Sequence, residues 1–372
     1  MKYSPEKYQS YYFDTVKKLL AAPSPSGYYD EVMPVVEALA KEVGATFSMT
    51  KKGCAVLKLS ASAADGKITA GEKDAATAGA GGTASETKTG ARGICAHVDT
   101  LGLMIRSVLP DGHLAFTKIG GPVLPTLDGE YVTVLTRSGK RYTGTVLSRS
   151  PAVHVFEDAS SRPRDEKNMY IRLDERVSSA ADTKALGISA GDYVFYDPKT
   201  VVTDSGYLKS RFIDDKASAA EILTAFHIIK EENLPLPQDI VCYFTMYEEV
   251  GHGAAFVDDG LCSMLAVDMG CVGDDLSATE EDVSVCALDR GGPYDYRLTR
   301  KLIAFAEEEG LHFATDIYPY YGSDVGAMWR AGHDIPGALI GSGVHASHGM
   351  ERTHVNGIFN TINLILCYLT KD

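Results

Sequence analysis

The segment Gly93-Ile94-Cys95-Ala96-His97-Val98-Asp99 joins a short apolar run to a histidine and an acid. Such a run is typical of a buried strand, and a strand here would deliver His97 at its end. Residues two apart in an extended chain share a face, so the Asp99 carboxylate can reach the His97 imidazole while the other ring nitrogen binds a metal. A lone His-x-Asp pair is more often an ordinary polar strand end. Other segments of the chain are therefore needed to indicate whether His97 and Asp99 belong to a metal site.

Strands and helices alternate on both sides of this segment. Upstream, residues 4–58 predict a helix, a Pro/Ser/Gly turn, a second helix and a strand. Downstream, apolar runs and helical spacing predict strands at 240–246, 264–267 and 338–340, with helices after Asp214, over 298–309 and from 358 onward. This alternation favours an α/β fold, a layered α/β/α catalytic domain with a mixed central sheet and ligands at the carboxyl ends of its strands.

The pattern changes between residues 103 and 198. Short alternating strands separated by turn residues are predicted there, at 131–136, 142–147, 169–173 and 193–196. We therefore expect a small inserted β-barrel-like domain at 103–198 that divides the catalytic domain into 1–102 and 199–372. Residues 60–90 are nearly all Ala, Gly, Ser, Thr and charged residues, which predicts a low-complexity mobile insertion.

Composition excludes several classes of protein. A net charge of −14 in 372 residues disfavours nucleic acid and anionic membranes as partners, because both are bound mainly by clustered Lys and Arg. No apolar stretch approaches the roughly 18 residues of a membrane span, and the N-terminus lacks the apolar core of a secretory signal. The seven cysteines are scattered without a Cys-x-x-Cys pair, which favours reduced thiols in a cytoplasmic protein.

Two acidic pairs add to the candidate site. Asp214-Asp215 precedes a helix and, taken alone, fits an N-cap better than a metal ligand. Glu248-Glu249 ends an apolar strand, where two neighbouring acids are costly unless cations neutralise them. Neighbouring side chains of a strand diverge, so both can face one site only if the chain bends there. One Glu would then bind metal, and the other would act as general base.

Two later segments complete the set. Asp268 closes the strand at 264–267, where an acid has no structural purpose beyond capping. His345, His348 and His354 cluster in a glycine-rich segment after the strand at 338–340, and one of them is expected to be a ligand. Oxygen and nitrogen ligands from Asp, Glu and His suit two divalent metal ions, with zinc as first candidate and cobalt or manganese as alternatives.

These segments, in this order, resemble the glutamyl aminopeptidase family, which includes the tetrahedral, or deblocking, aminopeptidases. The resemblance covers nearly the whole chain except residues 60–90, and its order is specific although each piece is weak. It is carried by Ala22-Pro23-Ser24-Pro25-Ser26-Gly27-Tyr28, Ala96-His97-Val98-Asp99, Ile213-Asp214-Asp215-Lys216, Glu248-Glu249-Val250-Gly251, Ala266-Val267-Asp268 and Tyr321-Gly322-Ser323-Asp324-Val325-Gly326-Ala327.

The resemblance implies a role for each residue of the candidate site. One metal would be held by His97 and Asp268, the other by Glu249 and His348, and Asp214 would bridge the two. Glu248 would be the general base. Asp99 would hold the imidazole of His97 in place. It also implies that the inserted domain mediates dimerisation, with dimers assembling into a tetrahedral dodecamer.

The chain also departs from the family pattern. The family usually shows Arg-Tyr-x-His-Ser near the last ligand, whereas this chain has His345-Ala346-Ser347-His348, so His345 stays an alternative to His348. Lys216 stands where Arg is common, and Thr100 where Glu is common.

The sequence therefore predicts a cytoplasmic two-metal aminopeptidase, a homo-oligomeric hydrolase that removes N-terminal residues from peptides. One alternative keeps the site but acts as a metal-dependent amidohydrolase or deacylase of N-acylated amino acids. Another is a catalytically silent scaffold. A glycosidase is disfavoured because its two carboxylates must stand at least about 5 Å apart.

Overall fold

The computed structural model describes residues 2–61 and 90–371, so the predicted low-complexity insertion at 60–90 lies almost wholly outside the described residues. Elements are numbered along the chain. The helices of the described part are α1 (Pro5–Ala21), α2 (Val32–Val43), α3 (Ala180–Ala185), α4 (Ile213–Glu231), α5 (Tyr296–Glu308), α6 (Asp324–Arg330) and α7 (Val355–Thr370). Across those same residues, no helix combines the length and the apolar character needed to cross a membrane.

A ten-stranded mixed sheet organises the larger part of the protein. Its strands are β1 (Thr46–Met49), β2 (Ala55–Leu59), β3 (Ala91–His97), β12 (Ile240–Thr245), β13 (Leu261–Val267), β14 (Gly270–Cys271), β15 (Val283–Asp289), β16 (Gly292–Pro293), β17 (Phe313–Tyr318) and β18 (Gly337–Val344). Their order is β1-β2-β12-β3-β13-β18-β15-β16, with β14 beside β18 and β17 beside β15. The central strands β12, β3, β13 and β18 are parallel, so their carboxyl ends lie at one edge.

Strand β3 shows how the sheet is buried on both faces. Ile94 and Ala96 belong to the core that contains residues of α1, α2, α4, α5 and α7, whereas Cys95 belongs to the core that contains Val325 and Met328 of α6. Both cores are apolar, which explains why β3 is a continuous apolar run rather than an alternating one. The predicted layered α/β fold is confirmed, with most of its helices on one face.

The region between β3 and α4 forms a second body. Strands β4 (Gly102–Val108), β5 (Leu114–Ile119), β6 (Tyr131–Leu135), β7 (Arg141–Ser148), β8 (Met169–Leu173) and β9 (Tyr193–Tyr196) close a six-stranded barrel in the order β4-β5-β8-β7-β6-β9. The predicted β-barrel is therefore present. The domain boundaries 1–102, 103–198 and 199–372, and the dimerisation role of the barrel, stay predictions.

A small third sheet borders the parallel-strand edge. It consists of β10 (Val201–Val202), β11 (Tyr207–Ser210) and β19 (Glu351–His354), with β11 in the middle. The antiparallel β11–β19 pair places Ser210 opposite Glu351. The chain leaves β11 into α4, so this sheet connects the segment before Asp214 with the segment after His348.

Candidate active site

His97 and Asp214 form the centre of the site. His97 is the last residue of β3 and is 1% exposed, and its Nε2 lies 3.1 Å from Oδ1 of Asp214. Asp214 lies at the start of α4 with non-helical dihedral angles, and a cis peptide bond joins it to Asp215. The structure thus brings together the predicted histidine and acid, which are 117 residues apart in the chain.

Glu248 and Glu249 reach the site because the chain bends after β12. Residues 248–250 form a single 3-10 turn, flanked by Tyr247 and Gly251 with φ of 74° and 87°. Oε2 of Glu248 lies 3.9 Å from Nε2 of His97, and Oε2 of Glu249 lies 3.6 Å from Nε2 of His348. The bend that the acidic pair required is therefore present, and the two carboxylates face different histidines.

Asp99 is fully buried, and its contacts differ in detail from the predicted ones. The hydrogen bond from Nδ1 of His97 goes to the Asp99 main-chain carbonyl at 3.0 Å, whereas the carboxylate oxygen is 3.6 Å away. The carboxylate instead accepts the main-chain N–H groups of Glu248 and Glu249 and the hydroxyl of Ser26. Asp99 therefore orients His97 through its backbone and holds the Glu248–Glu249 turn through its side chain.

The structure separates the two histidines that the sequence left open. His348 has its Nε2 3.4 Å from Oδ2 of Asp214, and its Nδ1 donates to the Gly121 carbonyl at 3.1 Å. His345 is exposed and pairs through its backbone with Arg352. Of the two, His348 is the one beside the acids.

Asp268 completes the group of predicted residues. It follows β13 directly and is 5% exposed. Single ligand atoms of His97, Asp215 and Asp268 lie within 4.8 Å of one another, as do those of His97, Asp214 and Glu249. All seven predicted site residues therefore lie in one place, and Asp215 joins them.

The pKa values in this cluster are shifted in the directions expected where buried carboxylates lie close together. Burial and the charge of Asp214 raise the pKa of Asp268 to about 7, and burial with the same charge raises the pKa of Glu249 well above its usual range. Burial opposes protonation of His348, but its hydrogen bond to Asp214 prevails and raises the pKa to about 10. In residues 2–61 and 90–371 the ion pairs of these acids involve only His97 and His348.

The donor set fits divalent cations. Oε1 of Glu249 and Oδ1 of Asp215 are buried without a hydrogen-bond partner, so each has a free acceptor position for a cation. Ligand atoms about 2.1 Å from a tetrahedral ion stand roughly 3.4 Å apart. The separations of 3.1 to 3.6 Å among His97, Asp214, Glu249 and His348 are close to that value.

Sequence reasoning missed one buried acid that contacts the backbone of two site residues. Glu351 is 2% exposed, and its carboxylate accepts the N–H groups of Asp214 and His348. Burial and the charge of Asp214 raise its pKa to about 8, a shift that bound cations would reduce. Its only signal in the sequence is an acid on a short strand beside the candidate histidines.

An open cavity of about 970 Å³ adjoins the cluster. Asp214, Glu248, Glu249, Asp268 and His348 line this cavity, so the cluster is accessible to a ligand. The remaining wall includes the aromatic and basic side chains Tyr318, Tyr320, Tyr321, Arg290 and Arg330. Such a mixed apolar and polar wall is typical of a small-molecule or peptide site.

Comparisons with known proteins identify a family, a relative and similar folds. The family model of the M42 glutamyl aminopeptidases matches residues 79–364. The chain is 39% identical to a candidate aminopeptidase of Bacillus subtilis (strain 168), YhfE, over 96% of both chains. Its fold is similar to that of an aminopeptidase from the archaeon Desulfurococcus kamchatkensis, with a TM-score of 0.81, 21% identity and coverage of 98% and 96%.

A further structural neighbour is the TET1 peptidase of Pyrococcus horikoshii, which can assemble into a tetrahedron or a large octahedral shell. The TM-score is 0.78 at 20% identity, with 97% of this chain and 100% of that chain covered. At this identity the likeness concerns the fold alone. The family match over most of the chain, together with the relative at 39% identity, shows that the chain belongs to the M42 glutamyl aminopeptidase family and is an aminopeptidase.

Proposed function

We propose that this aminopeptidase uses two divalent metal ions, held by His97, Asp268, Glu249 and His348 and bridged by Asp214. The observation that carries the proposal is the position of Asp214. Its Oδ1 faces His97 at 3.1 Å and its Oδ2 faces His348 at 3.4 Å, so each oxygen serves a different histidine. A carboxylate in this position is suited to bridging two cations. Zinc is the first candidate for both, with cobalt and manganese as alternatives.

In the proposed reaction Glu248 is the general base. Bound cations supply the Lewis acidity that activates a water and polarises the scissile carbonyl. Glu248 accepts a proton from the attacking water while the water oxygen bonds to the carbonyl carbon. Glu248 then gives that proton to the leaving nitrogen as the C–N bond breaks. Its side chain is 15% exposed and lines the cavity, and its carboxylate lies 3.9 Å from His97, so it can reach a water or a substrate bound there.

The test of the base is Glu248→Gln in the full chain, with zinc supplied. We expect turnover to fall by at least 10²-fold while the zinc content stays unchanged, because the variant keeps every proposed ligand. Glu249→Gln is the matched comparison, in which zinc is lost as well. Normal turnover in the Glu248 variant would refute the assignment.

Two alternatives give different results in simple assays. A deacylase would hydrolyse N-acylated amino acids, whereas an aminopeptidase requires a free amine, so a panel of matched N-acyl and free-amine substrates separates them. A silent scaffold would remain inactive after zinc, cobalt or manganese is restored. The presence of every proposed ligand and of Glu248 supports the catalytic alternative.

The cavity wall favours an acidic residue at the substrate N-terminus. Arg290 and Arg330 line the cavity, and in the described part of the chain neither has a carboxylate within ion-pairing distance. Besides Glu248 and the proposed metal ligands, the cavity is lined by two acids, Asp274 and Asp275. Both are exposed to solvent. Guanidinium groups pair with carboxylates by charge and by bidentate hydrogen bonds. Peptides that begin with Glu or Asp are therefore the proposed preferred substrates.

We also propose that the protein is a homo-oligomer whose barrel takes part in assembly, as the TET1 likeness suggests. The connection between β7 and β8 exposes Val153 and Val155 at 71% and 73% and Phe156 at 38%. Neighbouring apolar side chains with this exposure are typical of a surface that a partner covers. A Val153→Asp/Val155→Asp variant should have a lower molar mass than the wild type by light scattering.

A further inference from the structure

Glu351 links two segments of the candidate site that are far apart in the chain. Its Oε2 accepts the main-chain N–H of Asp214 at 3.1 Å, and its Oε1 accepts the main-chain N–H of His348 at 2.9 Å. Glu351 is 2% exposed, so bulk water does not compete for these hydrogen bonds. Strand pairing adds to this link, because Glu351 lies opposite Ser210 on the strand that leads to Asp214.

The backbone of His348 needs such a link. The backbone φ angles of His348 and Ala346 are 63° and 60°. Residues other than glycine rarely adopt this left-handed conformation. The two-way backbone pairing of His345 with Arg352 closes the turn at its base. Within that turn the hydrogen bond from the His348 N–H to Glu351 stabilises the unusual conformation and thereby directs the imidazole towards Asp214.

We propose that Glu351 is a positioning residue of the aminopeptidase site: by holding the backbones of Asp214 and His348 together, it sets the metal affinity of their side chains. The inference rests on the proposed function, in which both residues are ligands. Each oxygen of Glu351 accepts a backbone N–H, and among the described residues Glu351 belongs neither to the lining of the cavity nor to the groups of candidate ligands. Positioning contacts of this kind change metal affinity or activity by 10- to 100-fold in other proteins.

The chemistry of the two oxygens gives a sharp variant. Glutamine at position 351 keeps the shape but replaces one acceptor oxygen by an NH2 donor, which would face a backbone N–H. One of the two links is therefore lost without a change of volume. Glu351→Asp retains both acceptors but is shorter by one methylene group, so it serves as a second variant if the first does not fold.

Glu280→Gln is the matched control. Glu280 pairs with Arg352, the next residue of the same strand, through two hydrogen bonds of 2.7 and 2.8 Å. Successive residues of a strand point to opposite faces, so this pair lies on the face away from the site. The control thus makes the same chemical change beside the same strand but leaves Asp214 and His348 untouched.

The experiment is a zinc titration of metal-free full-length protein in competition with a chromophoric chelator, followed by turnover as a function of zinc. For Glu351→Gln we expect the zinc affinity to fall about 10- to 100-fold, with turnover recovering as zinc is raised because Glu248 is intact. Glu280→Gln should titrate like the wild type. The loss of a buried hydrogen bond should also lower the unfolding temperature of metal-free Glu351→Gln, so the titration is run well below that temperature, where a purely structural role would leave the zinc affinity unchanged.

The outcomes are distinct. Wild-type zinc affinity in both Glu351 variants overturns the positioning role, and so does an equal loss in Glu280→Gln. If the wild type itself binds no zinc, cobalt or manganese, the proposed function fails, whatever the variants do. A loss of affinity in the Glu351 variants alone supports the inference.

Discussion

Replacing Asp99 by Asn tests whether the Glu248–Glu249 turn depends on a single buried carboxylate. Oδ1 of Asp99 accepts the N–H of Glu248 at 3.2 Å, and Oδ2 accepts the N–H of Glu249 at 3.4 Å and the hydroxyl of Ser26. The side chain is 0% exposed, so no water can compensate for a lost acceptor. Asp99→Asn keeps one side-chain oxygen as an acceptor and replaces the other by an NH2 group, which would face an N–H or O–H donor.

The magnitude follows from the kinds of hydrogen bond involved. A hydrogen bond to a charged group contributes about 1.5–3 kcal/mol, and a neutral one about 1 kcal/mol. Asp99→Asn loses one bond and weakens the others, so we expect the free energy of unfolding to fall by about 3 kcal/mol. The turn then relaxes and displaces both Glu carboxylates, which should lower kcat by roughly 10- to 100-fold at saturating zinc.

Urea unfolding followed by circular dichroism measures the loss of unfolding free energy. Steady-state kinetics on a free-amine substrate measures the loss of kcat. Ser26→Ala is the matched control, since it removes the hydroxyl donor but leaves both N–H bonds; it should cost about 1.5–3 kcal/mol and preserve kcat. Wild-type stability and turnover in Asp99→Asn would contradict this role of Asp99, and so would an equal loss of kcat in Ser26→Ala.

Three further predictions concern charge. Removing the metal with a chelator should lower both activity and Tm, and restoring zinc should recover both, because bound cations stabilise the folded state by mass action; differential scanning calorimetry detects this. Arg290→Ala should lower kcat/KM for substrates with N-terminal Glu more than for those with Leu, as a chromogenic panel would reveal. Burial alone would raise the pKa of Glu130, but hydrogen bonds and charge from Lys199 and Arg211 hold it below its usual value. Glu130→Gln should therefore be less stable by about 3 kcal/mol at pH 7, and this deficit should shrink as the pH falls below about 4 in urea titrations.

Elements with local patterns were predictable from the sequence. The alternating barrel strands at 169–173 and 193–196 have the predicted bounds. Strand β18 was predicted only at 338–340 but extends over Gly337–Val344, because Gly341 and Gly343 resemble a loop in sequence. A Cβ at Gly341 would lie 1.3 Å from the Asp268 carbonyl, and one at Gly343 2.0 Å from that of Thr279. The glycines are there because neighbouring backbones pack against the strand, and no local pattern contains that information.

The site was predictable to the extent that its residues lie at element ends. His97 ends a strand, whereas Asp214, Glu249 and Asp268 each follow a strand or lie at the start of a helix. Parallel strands bring their carboxyl ends together. Glu351 has no such signal, since its partner Asp214 is 137 residues away and the link uses only backbone N–H groups. The contacts of the Asp99 carboxylate were missed for the same reason, because both N–H partners lie about 150 residues further along.

The barrel contributes contacts to the candidate site, although its strands lie between β3 and α4 in sequence. The segment after β5 lies against the cluster: the Gly121 carbonyl accepts from Nδ1 of His348, and the Val123 N–H donates to the His348 carbonyl. The first of these contacts engages the Nδ1 proton and directs Nε2 towards Asp214 and Glu249. Gly120, at φ of 70°, packs so tightly that a Cβ would lie 2.6 Å from Leu101. Without the barrel segment the protein would therefore lose the acceptor that orients His348.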